Sequence, residues 1–129
     1  MSNPPVSREA RLGHVAGIDL DRFFGRMNAP TAAAFVRGIC GDEMEFWLDI
    51  DRDAIIREVR VHVSGCETSR ACAAVAASLV EGNSVRAALK LSAGAILDKL
   101  PRHYDEPEHC AVLAIMTLYR AIGDYLLQP

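Results

Sequence analysis

Residues 43–66 read EMEFWLDIDRDAIIREVRVHVSGC, and this stretch predicts a β-hairpin that ends at a cysteine. In its first strand, Glu43–Asp51, apolar side chains such as Phe46 and Leu48 alternate with charged ones such as Glu45. Alternation with a period of two is typical of a strand with one buried and one solvated face. The hairpin is therefore expected to pack one face against a core.

The predicted register follows from a tight turn at Arg52-Asp53. It places apolar residues opposite apolar residues and an acid opposite a base; the pairs are Ile50 with Ile55, Phe46 with Val59, Met44 with Val61, and Glu45 with Arg60. Continued to the open end, this register places Cys40 opposite Gly65, and Cys66 is the next residue. The hairpin thus predicts that two distant thiols become neighbours.

Helices and one further strand surround this hairpin. The second strand of the hairpin is predicted at Ala54–Val63 and the further strand at Ala34–Ile39, and the residues after Cys66 are Ala-rich and helical in pattern. The predicted helices are Thr68–Glu81, Val85–Lys90 with Ser84 as its cap, Ala93–Lys99 with Ser92 as its cap, and the long C-terminal Pro107–Leu127. The predicted fold class is α+β, a small three-stranded antiparallel sheet covered by helices.

Length and composition favour a single domain over residues 1–129. Half of the residues are hydrophobic, enough for one core. Residues 1–18 are rich in Pro, Gly and Ser and are expected to form a loose arm, after which Asp19 caps a short helix through Phe24.

Charge and hydropathy exclude several function classes. The chain has 14 basic and 17 acidic residues mixed along its length, so no basic stripe indicates nucleic acid as a partner. The uncharged stretch Ala71–Val80 is half of the roughly 20 residues needed to cross a bilayer, and no membrane partner is expected. The N-terminus shows no apolar signal segment, so a cytoplasmic location is expected.

The four cysteines favour metal or sulfur chemistry over disulfides. Disulfides need an oxidising compartment, which the missing signal argues against. Cys66 and Cys110 are each placed at the start of a helix, where the partial positive charge is expected to lower a thiol pKa. The start of the last helix also carries a predicted capping box of Asp105 and Glu108. Cys72, inside the Ala-rich helix, is expected to be an ordinary core residue.

These positions define a candidate metal site. The thiols of Cys40, Cys66 and Cys110 offer three ligands, and either Asp42 or His109 is the candidate for the fourth. That set suits tetrahedral zinc, iron or a [2Fe-2S] cluster. The spacing alone leaves the choice between Asp42 and His109 open.

At these residues the chain resembles the IscU/NifU N-terminal type of iron-sulfur cluster assembly scaffold. The resemblance runs from about Met27 to Tyr125. It is carried by three segments in order: Cys40-Gly41-Asp42, Ser64-Gly65-Cys66 leading into the helix that ends at Val80-Glu81-Gly82, and the run His109-Cys110-Ala111-Val112-Leu113-Ala114.

The resemblance implies a function that the residues alone do not give. A scaffold of this type accepts sulfur from a cysteine desulfurase, accepts iron, builds a labile [2Fe-2S] cluster and transfers it to recipient apoproteins. Members also hold zinc at the same residues. By resemblance Cys40, Cys66 and Cys110 are the ligands, Cys110 is the sulfur acceptor, Asp42 makes the cluster labile and His109 belongs to the ligand region.

A departure in the segment before His109 and two alternatives accompany this resemblance. The Leu-Pro-Pro-Val-Lys segment that serves an Hsp70-type chaperone is absent, since the chain reads His103-Tyr104-Asp105-Glu106-Pro107, which argues against that interaction. The first alternative is a zinc-dependent sulfurtransferase partner of a desulfurase; that branch carries an insertion between its second and third cysteines, whereas only 43 residues separate Cys66 from Cys110 here. The second is a degenerate regulatory or interaction member. A scaffold is not an enzyme in the strict sense.

Overall fold

A computed structural model describes residues 11–129 and contains the predicted three-stranded antiparallel sheet. Its strands are β3 (Ala32–Arg37), β4 (Glu43–Ile50) and β5 (Ile56–Ser64), with β4 in the centre. The bounds differ from the predicted ones by one or two residues at most ends, as expected where turns and strands meet.

The register of the β4–β5 hairpin differs from the predicted one. Phe46 pairs with Val61 and Glu45 with His62, a shift of two residues, and a bulge lies between Asp49 and Ile50. Since side chains alternate with a period of two, the shift leaves the same side chains on the buried face.

The reason for the shift is a turn longer than two residues. The Asp51 carboxylate accepts hydrogen bonds from the backbone N–H groups of Asp53 and Ile55, and the Asp51 N–H donates to the Ile55 carbonyl. Ala54 takes a left-handed backbone conformation, with φ of 61°. The connection therefore occupies residues 51–55, and the predicted Glu45–Arg60 pair is wrong.

Four helices follow the sheet, as predicted: α1 (Glu67–Val80), α2 (Val85–Ala88), α3 (Ala93–Asp98) and α4 (Glu108–Leu126). Ser84 and Ser92 cap α2 and α3 as expected, each accepting a hydrogen bond from the backbone N–H three residues on. The predicted capping box of α4 is wrong, because Pro107 occupies the N-cap position and no side chain caps the helix.

The described part of the N-terminal segment is ordered by backbone contacts. Strands β1 (His14–Val15) and β2 (Ile18–Asp19) form a small hairpin, and Leu12 is only 2% exposed. Asp19 caps the 3-10 helix Leu20–Phe23 as predicted. The expectation of a loose arm is wrong for residues 11–18, and residues 1–10 of that arm lie outside the described residues.

Helices α1 and α4 pack against each other and against the same sheet, α1 on β5 and α4 on β3 and β4. The apolar face of β4, with Phe46 and Leu48 fully buried, lies in the hydrophobic core. Trp47 on the opposite face is also buried, with the guanidinium of Arg26 5.5 Å from its ring centroid. Within residues 11–129, no helix has both the length and the apolar character to cross a membrane.

Candidate metal centre

The first residues of α1 and α4 meet the turn between β3 and β4, and this junction carries the candidate site. The turn is closed by hydrogen bonds from Gly38 N to the Asp42 carbonyl, 2.8 Å, and from Gly41 N to the Gly38 carbonyl, 3.0 Å. Gly41 has φ of 95°, which a side chain rarely permits. Cys66 is the N-cap residue of α1, and Cys110 lies in the first turn of α4.

Three of the five predicted ligands come together here. One carboxylate oxygen of Asp42 and the Sγ atoms of Cys66 and Cys110 all lie within 4.8 Å of one another. Cys66 Sγ is 3.5 Å from Asp42 Oδ2. The group runs from the protein surface into the interior, because Cys66 is exposed, Asp42 is half-buried and Cys110 is buried, with 1% exposure. Two soft donors and one hard donor match the ligand preferences of zinc and iron.

Cys40 and His109 lie beside this group rather than in it. His109 Nε2 is 3.6 Å from Cys110 Sγ, so the imidazole ring lies beside one of the three ligand atoms. Cys40 is exposed and lines an apolar cavity of about 290 Å³ together with His109, Ile39 and Leu113. The predicted pairing of Cys40 with Gly65 is wrong, because the β4–β5 ladder ends at Glu43 and Ser64 and Cys40 belongs to the preceding turn.

Ser69 is a polar residue of the site that the sequence reasoning missed. Its side chain is fully buried, donates a short hydrogen bond to Asp42 Oδ2, and lies 3.3 Å from Cys110 Sγ and 3.5 Å from Cys66 Sγ. The spacing could have indicated Ser69, because it lies three positions after Cys66 and residues three apart lie on the same side of a helix.

Gly65 holds space for the Asp42 carboxylate. A Cβ atom at this residue would lie 2.6 Å from Asp42 Cγ and 2.9 Å from each carboxylate oxygen. Real Cβ atoms do not approach other heavy atoms so closely, so a side chain here would displace the carboxylate. Gly65 therefore contributes to the site, because the absence of a side chain leaves space for the Asp42 carboxylate.

The pKa of the Cys110 thiol differs from the expectation based on helix ends. Burial raises the pKa of Cys110 to about 11, and the hydrogen bond from Ser69 opposes that rise only in part. The desolvation of a thiolate beside other acidic groups outweighs the partial positive charge of the α4 N-terminus. Without a metal ion Cys110 is therefore a neutral thiol at pH 7. A bound cation reverses this preference, because a coordinating thiol is deprotonated outright.

Cys72 is a core residue, as expected. It is fully buried, its Sγ lies 4.0 Å from the Pro107 carbonyl, and burial raises its pKa to about 12. It is not among the three ligand atoms that converge at the junction. Cys72 consequently serves as a control position for substitutions of the candidate ligand cysteines.

The sheet, the two helices packed on it and the thiol and carboxylate group define an α+β protein with a candidate metal centre. The family model described as the NifU-like N terminal domain matches residues 22–129. The chain belongs to this family, and the IscU/NifU N-terminal resemblance is confirmed.

Named relatives support the same family placement. A bifunctional protein NifU/MnmA of Rubrobacter xylanophilus is 37% identical over 87 residues, which is 67% of this chain and 18% of that protein. An iron-sulfur cluster assembly scaffold protein IscU of Aquifex aeolicus is 31% identical over 90 residues, 69% of this chain and 57% of the relative. One from Archaeoglobus fulgidus is 30% identical over 87 residues, 67% and 56% of the two lengths. The matched part thus spans less than two thirds of each relative.

Solved structures share the fold at low sequence identity. A putative iron-sulfur cluster assembly scaffold protein for the SUF system from Fervidobacterium islandicum superposes with a TM-score of 0.65 at 19% identity, covering 79% of this chain and 88% of that chain. The N-terminal part of a NifU-like protein from Brucella abortus gives 0.65 at 20% identity, covering 83% and 87%. The predicted α+β fold with its long C-terminal helix is confirmed.

Proposed function

We propose that this chain is an iron-sulfur cluster assembly scaffold. In this proposal it accepts sulfur from a cysteine desulfurase, accepts iron, assembles a labile [2Fe-2S] cluster and transfers the cluster to recipient apoproteins. The observation that carries the proposal is the convergence of Asp42, Cys66 and Cys110 at one junction of three chain segments. Family membership and the scaffold names of the relatives support it.

The donor set suits a cluster that must leave. A [2Fe-2S] cluster is usually held by four thiolates, and a carboxylate in place of one of them is a harder ligand for iron. In the proposed complex Asp42, Cys66 and Cys110 bind the iron, Cys40 joins as the third thiolate, and His109 is the alternative to Asp42. The exposed turn at residues 38–42 has to move for Cys40 to reach the group, and its few hydrogen bonds make such movement inexpensive.

Cys110 is the proposed sulfur acceptor. Its thiolate attacks the outer sulfur of a persulfide on the desulfurase; a new S–S bond forms at Cys110, the old S–S bond breaks, and the desulfurase cysteine leaves as a thiolate. The Cys110 proton has to depart first, which its raised pKa opposes in the metal-free protein. The proposal therefore requires bound metal or local opening of the junction before transfer.

The test is anaerobic reconstitution with ferrous iron, cysteine, a cysteine desulfurase and a thiol reductant, which supplies the electrons that convert persulfide sulfur into sulfide. Visible absorption and iron and zinc analysis follow. The expected result is charge-transfer bands and about two irons per binding site. The matched variants are Cys66→Ala and Cys72→Ala, two cysteine substitutions at the start and in the middle of one helix. Loss of the bands in the first and their retention in the second support the scaffold.

Two other outcomes separate the alternatives. Tight zinc without any cluster, together with sulfur transfer to Cys110, would favour a zinc-dependent sulfurtransferase, because the same donors suit zinc. Neither metal nor sulfur on the protein would favour a regulatory or interaction member. Detection of persulfide by mass spectrometry of the cysteine peptides identifies the acceptor directly.

Further parts of the proposal rest on the sequence. We place the protein in the cytoplasm and treat residues 1–129 as a single domain. A dedicated Hsp70-type chaperone is not among the proposed partners, because the Leu-Pro-Pro-Val-Lys segment is absent before His109. In the loop before α4, Arg102 bonds to Glu67 and to the Arg11 carbonyl. This loop is thus tied to the body of the protein by contacts of its own.

A further inference from the structure

Ser69 occupies the space between the three candidate ligands. It is fully buried, it donates to Asp42 Oδ2, and its Oγ lies within 3.5 Å of both the Cys66 and the Cys110 sulfur atoms. A buried hydroxyl surrounded by one carboxylate and two thiols is unlike the ordinary serine of a helix, which bonds to a backbone carbonyl of the preceding turn. Ser78 in the same helix does that, donating to the Val75 carbonyl at 2.7 Å.

The hydroxyl has a single proton, and the nearby acceptors compete for it. A carboxylate is a stronger acceptor than a thiol, and bonds to charged acceptors are the shorter ones. The carboxylate is the strongest acceptor within reach of the hydroxyl, so beside a neutral Cys110 thiol the proton is assigned to the Asp42 bond. Ser69 therefore acts on the carboxylate first.

The bond decides where the Asp42 side chain points. Asp42 lies at the end of an exposed turn and is half-buried, so its carboxylate could equally well be solvated. Ser69 is a fully buried residue in the first turn of α1, and it anchors Oδ2 beside the Cys66 sulfur, 3.5 Å away. Anchoring removes the side-chain freedom that binding would otherwise have to remove.

We propose that Ser69 is a positioning residue of the metal centre, which holds the Asp42 carboxylate in place beside the Cys66 and Cys110 thiols. The hydroxyl is not a ligand in this scheme; it orients one. This inference rests on the proposed function only in that the group binds a metal ion. Hydrogen-bond partners of metal ligands typically account for 10–100-fold in metal affinity, and Ser69 is expected to fall in this range.

The experiment measures zinc affinity by competition with a chromophoric chelator, in the full chain at one pH. The variants are Ser69→Ala, Asp42→Ala, the double variant, and Ser78→Ala as the matched control on the same helix. The expected result is a roughly 10–100-fold loss for Ser69→Ala and no change for Ser78→Ala. Because Ser69 acts through Asp42, the double variant is expected to bind no more weakly than Asp42→Ala alone.

A second readout distinguishes positioning from packing. With Co²⁺ in place of zinc, Ser69→Ala should shift the visible bands toward those of Asp42→Ala, because in both proteins the carboxylate leaves the metal. Ser69→Thr keeps the hydroxyl and should restore binding, which covers the case in which Ser69→Ala does not fold. A tenfold or larger loss in Ser69→Thr would overturn the proposal.

Other outcomes also overturn it. Equal zinc affinities of Ser69→Ala and the unmodified protein refute the role of Ser69. The role is also refuted if Ser69→Ala lowers zinc affinity as much in the Asp42→Ala variant as in the unmodified protein. If the unmodified protein binds neither zinc nor Co²⁺, the role of Ser69 and the proposed scaffold function both fail. If it binds zinc in the expected pattern but forms no cluster in reconstitution, only the scaffold function fails.

Discussion

The substitution Gly65→Ala is predicted to remove Asp42 from the metal site while leaving the fold intact. The new Cβ would lie 2.6 Å from Asp42 Cγ, whereas carbon atoms in contact lie about 3.5–4.0 Å apart, so the carboxylate has to move by about 1 Å. Metal–ligand distances tolerate only about 0.2 Å. A carboxylate displaced this far no longer ligates in the geometry that the two thiols define.

The expected loss of zinc affinity is on the order of 10–100-fold, with Asp42→Ala as the reference for complete loss of this ligand. Stability should respond differently. Gly65 is not in the left-handed region and its new neighbour is a movable side chain, so alanine restricts the unfolded chain without straining the folded one. Displacing the carboxylate also breaks its bond to the buried Ser69 hydroxyl, and the two effects oppose each other, so the stability of the metal-free protein should change by no more than about 1 kcal/mol.

The assay combines zinc competition with thermal unfolding of the metal-free and zinc-loaded protein. Gly123→Ala is the matched control: it adds the same methyl group in α4, where nothing lies within 4 Å, and should stabilise both forms by about 0.5–1 kcal/mol without affecting zinc. Undiminished zinc affinity in Gly65→Ala would refute the reasoning, because it would mean that Asp42 is not needed where the structure places it.

Three further predictions concern thiols and the core. Folding raises the pKa of Cys72 to about 12 and that of Cys110 to about 11 from an ordinary value of 9.0, so the folded protein retains protons that the unfolded chain releases. The contribution of these two thiols to the free energy of unfolding should be constant below pH 9 and fall between pH 9 and the folded-state values, by up to about 1.4 kcal/mol per pH unit for each thiol. Urea titrations of the metal-free protein above pH 9 should show this fall, and Cys72→Ala should reduce it. If Cys40 joins the centre, zinc should slow its alkylation by iodoacetamide, measured by mass spectrometry, and an unchanged rate would leave it outside the site. Phe46→Ala removes a fully buried ring from the sheet face and should cost about 3–5 kcal/mol in urea unfolding; a cost under 1 kcal/mol would contradict the assigned core.

The sequence predicted the elements well because their signals are local. Ser84 and Ser92 cap their helices as expected, and alternation in β4 identified its buried face. The register was wrong by two residues because Asp51 bonds to two backbone N–H groups and enlarges the turn, a contact that alternation does not reveal. A shift of two leaves every face unchanged, which is why the error did not affect the predicted core.

The candidate site was predictable by residue type but not by arrangement. Cys66 and Cys110 meet, as the motif order suggested, while Cys40 lies outside the group because the ladder ends before it. Helix position predicted a lowered thiol pKa for Cys110, but burial, which depends on the packing of the whole chain, raises it. Ser69 was missed for the same reason, since its importance comes from neighbours that are distant in sequence.

The spread of the three ligands along the chain makes any bound ion a cross-link. Asp42 and Cys66 are 24 positions apart and Cys66 and Cys110 are 44 apart, so one ion closes two long loops of the unfolded chain. Two of the tie points lie at the starts of helices that pack into the core, and the third lies on a surface turn held by two backbone hydrogen bonds. Opening that turn would break the link at one end without disturbing the sheet, so the ion can leave from a protein that stays folded.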